Sequence, residues 1–167
     1  LPPGDSGPAT PVAPAEGSPR FGAWISAVEA GTELRVQTRP GAPAPVRCEP
    51  GATLAAWREA PSLPPPDVVC QSALGTVERS ASTRISELAF ASEEHARVNL
   101  DMLLERGDGG DPLDACRSGA CKALVSGWVE GTTVYWVTTR AAAWREDGCA
   151  ALRAAGAPAP RGSHRCG

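Results

Sequence analysis

Along the middle of the chain the apolar positions recur mainly every second residue. Leu34, Val36 and Thr38 alternate with Glu33, Arg35, Gln37 and Arg39, the pattern of a half-buried strand over 32–39. Residues 22–28 read as the strand before it, with Ala30-Gly31 as the turn. Residues 68–78 predict a further strand carrying Cys70. The clearest hairpin is 122–139, where Glu130-Gly131 separates Leu124–Val129 from Thr132–Thr139. Its flanks are rich in Val, Trp, Tyr and Thr, which suit a pleated surface, and both faces carry apolar groups, so this ribbon is expected to be central.

Residues 83–105 fit two templates. Ser92 followed by Glu93 and Glu94 has the form of a helix start, and Gly107 that of a stop. On that helix Ala96, Leu100, Leu103 and Leu104 share a face. Yet Ala96, Val98, Leu100, Met102 and Leu104 also alternate with Arg97, Asn99, Asp101 and Glu105, and only Leu103 breaks the series. With Ile85, Leu88 and Phe90 before it, the alternation predicts a hairpin turning near Ser92–Glu94. Residues 141–155 predict a short helix with Trp144, Ala151, Leu152 and Ala155 turned inward and Gly156 as its stop. Many short strands and few helices give a mainly β chain: an antiparallel β-sandwich or barrel, stapled by disulfides, with a short C-terminal helix.

The punctuation sets the domain plan. The chain of 167 residues holds 18 Gly and 17 Pro, so loops and tails are many. Six prolines fall within residues 1–19, which read as a disordered Pro-rich leader or stalk. Residues 20–167 then form one disulfide-stabilised, β-rich domain. Residues 40–51 read as loop around Cys48, and 61–66, with four prolines, exclude regular structure. The pentapeptide Ala-Ala-Trp-Arg-Glu occurs at 55–59 and 142–146. Nothing around the two copies keeps the same offset, so chance in an Ala-rich chain accounts for it.

Six cysteines, Cys48, Cys70, Cys116, Cys121, Cys149 and Cys166, are even in number and show no CxxC pairs. They predict three disulfides, hence a secreted or cell-surface protein in an extracellular or periplasmic setting, and leave the pairing open. Leu1 in place of Met is what signal-peptide cleavage leaves behind. Cys166 predicts that the Pro- and Gly-rich C-terminal tail is pinned back. A net charge of −3 argues against a nucleic-acid partner, and no apolar run is long enough to span a bilayer. Asn99, the one asparagine, is followed by Leu100 and Asp101, so there is no N-glycosylation sequon.

Candidate chemistry is sparse. Gly4-Asp5-Ser6-Gly7-Pro8 resembles the nucleophile motif of chymotrypsin-like serine proteases, which would make Ser6 the nucleophile. It lacks the second Gly before Pro and lies in the leader. The two histidines read as solvated: His95 beside Glu93 and Glu94 in an exposed turn, His164 in the tail. Cys116, Cys121, His164 and Cys166 do not have the tight ligand spacing of structural zinc. Asp108, Asp111 and Asp114, interleaved with Gly109 and Gly110, lack the EF-hand spacing. No catalytic residue, metal or cofactor is therefore expected.

Two features point to binding. Trp57, followed by Arg58 and flanked by the 61–66 proline loop, reads as an exposed anchor. Arg106-Gly107-Asp108 is the tripeptide that integrins recognise, set here between two strong segments. The expectation is a non-enzymatic protein-binding module, such as a pathogen factor capturing a host protein, with an extracellular protein as partner. Loops 40–51, 60–67 and 107–115 would present the contacts. The alternatives are a structural cell-envelope or extracellular-matrix component on a flexible stalk, and a protease inhibitor.

Overall fold

The computed structural model describes residues 17–38, 41, 44–59, 62–106 and 123–167. Cys116, Cys121, Gly107, Asp108 and most of the predicted leader lie outside them.

The first described element is a helix, α1 (Pro19–Gly31). Ser18 caps it by accepting the Phe21 N–H at 3.1 Å, and Pro19 supplies the fixed φ that suits a first turn. Phe21, Trp24 and Val28, spaced three and four apart, make its buried face. The strand expected over 22–28 is thus replaced by helix, for which Ser18-Pro19 was the signal. Of the strand expected over 32–39, only β1 (Arg35–Val36) pairs, against Gly75 and Leu74. β2 (Arg47–Glu49) follows within the Cys48 loop, then a 3-10 turn at Gly51–Thr53 and a single helical turn, α2 (Ala55–Arg58).

β3 (Val68–Gly75) and β4 (Thr83–Ala89) pair along their length. The chain then enters α3 (Glu93–Arg106), not the second strand of a hairpin. Ser92 Oγ accepts the His95 N–H at 3.1 Å. Ala96, Leu100 and Leu103 are buried while Val98 is 39% exposed. A period-two strand would have buried Val98 with Ala96 and Leu100, so the helical period won, on the strength of the cap.

β5 (Leu124–Glu130) and β6 (Thr133–Thr139) form the expected hairpin, with Gly131 at φ +60° in its turn. α4 (Arg145–Ala155) is the expected terminal helix, closed by Gly156 at φ +64°, but it begins later than 141, and Trp144 stands ahead of it half-buried and not turned into the core. The two-residue strand β7 (Arg161–Gly162) pairs with β5.

All seven strands belong to one antiparallel sheet, ordered β1-β3-β4-β6-β5-β7, with β2 also on β3. It does not close, so the arrangement is layered and sandwich-like. One face carries Cys70, Leu74, Ile85, Trp128, Tyr135 and Val137 against α1 and α4. The other carries Val69, Leu88, Val125, Val134 and Trp136 against α3 and Trp57. The β5–β6 ribbon is buried on both faces, as its two-sided apolar pattern requires.

Among the described residues two disulfides staple the fold. Cys48–Cys70 joins directly opposed residues of β2 and β3. Cys149–Cys166 ties the C-terminal tail to α4. Gly148, beside that staple, is needed for its lack of a side chain: an added Cβ would lie 2.2 Å from Thr139 Oγ1 and 2.3 Å from His164 Nε2. Gly148→Ala should therefore destabilise the fold by roughly 2 kcal/mol, although alanine favours a helix by roughly 1 kcal/mol. Urea unfolding measures it, and a gain in stability would contradict this packing.

Candidate functional site

Each residue singled out in the sequence has a definite place or lies outside the described chain. Trp57 is not an exposed anchor. It is 4% exposed, and its Nε1–H donates to Asn99 Oδ1 at 2.6 Å. Asn99 in turn donates to Pro64 O at 3.0 Å and His95 O at 2.8 Å, so Trp57 and Asn99 pin the proline loop onto α3. The proximity to prolines that suggested exposure reflects instead a loop needing an internal hydrogen-bond partner. Arg58 stays exposed at the end of α2. Arg106 is the last residue of α3, about two turns beyond Asn99; Gly107 and Asp108 lie outside the described residues.

His95 is half-buried in the first turn of α3. His164 departs furthest from expectation: it is 1% exposed. Its Nδ1 lies 2.6 Å from Ser126 Oγ on β5 and its Nε2 2.8 Å from Thr139 Oγ1 on β6. Burial, and secondarily the charge of Arg145, push its pKa down to about 4, so the ring is neutral at ordinary pH. Either tautomer is satisfied, because each hydroxyl can donate or accept. A serine and a histidine at this distance have the form of an activated nucleophile. Ser126 is 3% exposed, however, and no carboxylate among the described residues bonds the ring. The arrangement works as an internal pin for the tail. Its legible signal was Cys166: a tail drawn back by a disulfide carries the histidine two residues earlier inward with it. Cys166 is in that disulfide, so it is not available as a thiolate ligand beside His164. Among the described residues no cluster of His, Cys, Asp and Glu could hold a metal.

Accessible chemistry lies at another corner, where three segments border an open groove of about 490 Å³. The turn after α1 contributes Glu33 and Leu34, the β3–β4 turn Arg79, and the start of α4 Trp144, Glu146 and Asp147. Arg79 meets Asp147 in a bidentate pair, Nε to Oδ2 at 2.8 Å and Nη2 to Oδ1 at 3.1 Å. Ser82 Oγ–H donates to the same carboxylate at 2.6 Å. The hydrogen bond to Asp147 raises the Arg79 pKa further, and the pairing leaves the guanidinium compensated at this corner. Glu146 pairs with Arg153 at the rim. Glu33 is exposed and has no ion-pair partner among the described residues. Trp144 is half-buried and occupies the cap position of α4 without a capping side-chain bond.

The β3–β4 turn that borders the groove is braced. Thr76 N–H donates to Arg79 O at 3.1 Å, Arg79 N–H donates to Thr76 Oγ1 at 3.0 Å, and Gln37 Nε2 donates to Thr76 O at 3.2 Å. Gln37 Oε1 also accepts the N–H of Ala81, a non-glycine residue at φ +49°. At the tip Val77 is 96% exposed. Sequence periodicity could not reveal this groove, since its walls come from segments more than a hundred residues apart.

Comparison with protein-family models, curated proteins and solved structures finds no match to this chain. The two disulfides are compatible with an oxidising compartment, and no helix among the described residues is long and apolar enough to cross a membrane.

Proposed function

We propose that this protein is a secreted or surface-exposed, non-enzymatic module that binds an extracellular protein. The observation that carries the reading is the corner just described: a braced turn presenting a bare valine beside an open groove walled by tryptophan. Recognition commonly resides on turns held by a rigid scaffold, because their side chains can change without disturbing the core. Bracing also lowers the ordering cost of association. The sheet and its disulfides supply the rigidity, and the Ser126–His164 pair is sealed from any substrate. Capture of a host protein by a pathogen factor is one form this function takes.

The competing reading is a structural envelope or matrix component. Sedimentation velocity on the non-reduced protein over a wide concentration range separates the two. The binding reading expects one species near 17.2 kDa throughout. Concentration-dependent assembly into larger species would overturn it in favour of the structural reading.

A further inference from the structure

We propose that the groove between the α1–β1 turn, the β3–β4 turn and the start of α4 receives a basic side chain, of arginine above all, from the protein partner. This rests on the binding reading and names the chemistry that would be recognised. Three carboxylates, Glu33, Glu146 and Asp147, border the groove against one guanidinium, Arg79. Asp147, itself bonded by the Ser82 hydroxyl, holds Arg79 in place, so the Arg79 charge is compensated and fixed. Glu146 is shared with Arg153. Glu33 makes no salt bridge among the described residues and meets Arg79 only as a nearby charge already paired with Asp147, so an incoming cation supplies it a direct partner.

Trp144 is half-buried, and its indole lines the groove beside the carboxylates. Tryptophan is the best aromatic partner for a guanidinium, which combines charge with a flat, weakly hydrated surface. The volume, about 490 Å³, suits one long side chain with its flanking backbone. Val77 stands two residues from Arg79 on the same braced turn and is 96% exposed. It offers an apolar contact to the surface from which the basic side chain projects, in the arrangement of a polar pocket beside a small hydrophobic anchor.

The test uses the non-reduced full chain and a blocked Ala-Arg-Ala tripeptide, followed by the NMR signals of the five tryptophan indoles, with Trp144→Phe to assign Trp144. The probes beside it are the citrulline counterpart, which keeps the shape and loses the charge, and blocked Ala-Glu-Ala. The expected result is saturable binding of the arginine peptide on the order of 1 mM, as suits so small a ligand. It should move the Trp144 indole and the amides of 32–34, weaken about fivefold in Glu33→Gln, and fade with added salt. Equal binding of the citrulline peptide, binding of the glutamate peptide, or no shift at Trp144 would overturn the proposal. Such a failure leaves the broader reading separately decidable. A partner captured by the whole protein and unaffected by Trp144→Ala would retain the binding function and move its site away from this groove.

Discussion

Replacing His164 by alanine is expected to cost the fold roughly 3–4 kcal/mol, from the cavity it opens and the two buried hydroxyls it orphans. Ser126 Oγ and Thr139 Oγ1 face the ring from adjacent strands, and Gly148 of α4 closes over it. Loss of the ring therefore loosens β5, β6, α4 and the tail together. The same residue sets a pH response in the wild-type protein. Its pKa is about 4 in the folded state, below the ordinary value near 6.5. Between those values the unfolded chain binds a proton that the folded protein refuses. The stabilisation is therefore complete above about pH 6.5 and is lost as pH falls towards 4, by roughly 3 kcal/mol. Arg145 is the charged group acting on the ring; the groups bonded to it from β5 and β6 are neutral. Urea unfolding across this range should show a decline in the wild type that His164→Ala lacks. Parallel curves for the two proteins would show that His164 does not carry it.

Glu87→Ala is expected to cost roughly 3 kcal/mol, because it strips the acceptor from three donors at once. Glu87 sits on β4 at 6% exposure. Its Oε1 accepts the Ser18 N–H at 3.0 Å, and its Oε2 accepts the Tyr135 O–H at 2.9 Å and the Ser18 hydroxyl. The Tyr135 pKa is raised, chiefly by burial and then by the Glu87 carboxylate, so the phenol remains a donor. Ser18 is at the same time the cap of α1, and Arg20, in the same first turn, bridges Glu130 and the Ala155 carbonyl. Removing Glu87 should free the first turn of α1 from the sheet. Hydrogen exchange of the Phe21 and Gly22 amides would then rise ahead of global unfolding. Glu87→Gln, which keeps an acceptor, should lose about 1 kcal/mol. An alanine variant as stable as the wild type would show that the carboxylate holds nothing together.

The sheet was the most legible part of the chain. Leu124–Thr139 declared its hairpin because alternation, β-branched residues and a Gly turn agree there, and α4 declared itself by spacing and Gly156. Where two periods competed, alternation was over-read. In α3 the cap at Ser92 outweighed the run Ala96–Val98–Leu100, and in α1 Ser18-Pro19 marked a helix start within a proline-rich stretch. The Cys149–Cys166 staple agrees with the expected pinning of the tail, but the burial of His164 follows from where that staple lands in three dimensions. Trp57 shows the same limit, since its exposure depended on Asn99, forty-two residues away. The groove at Trp144 is assembled from three distant turns, so no local pattern announces it.

Capture by the immobilised, non-reduced protein from an extracellular-protein library tests the proposed binding of a protein partner. Folded baits carrying Trp144→Ala with Glu33→Gln, and separately Asp108→Glu, run alongside. The account predicts one saturable partner, retained by the wild type and lost from the Trp144 and Glu33 bait. Loss from the Asp108 bait instead would assign the contact to Arg106-Gly107-Asp108. A folded wild-type bait that retains no saturable partner would contradict the account.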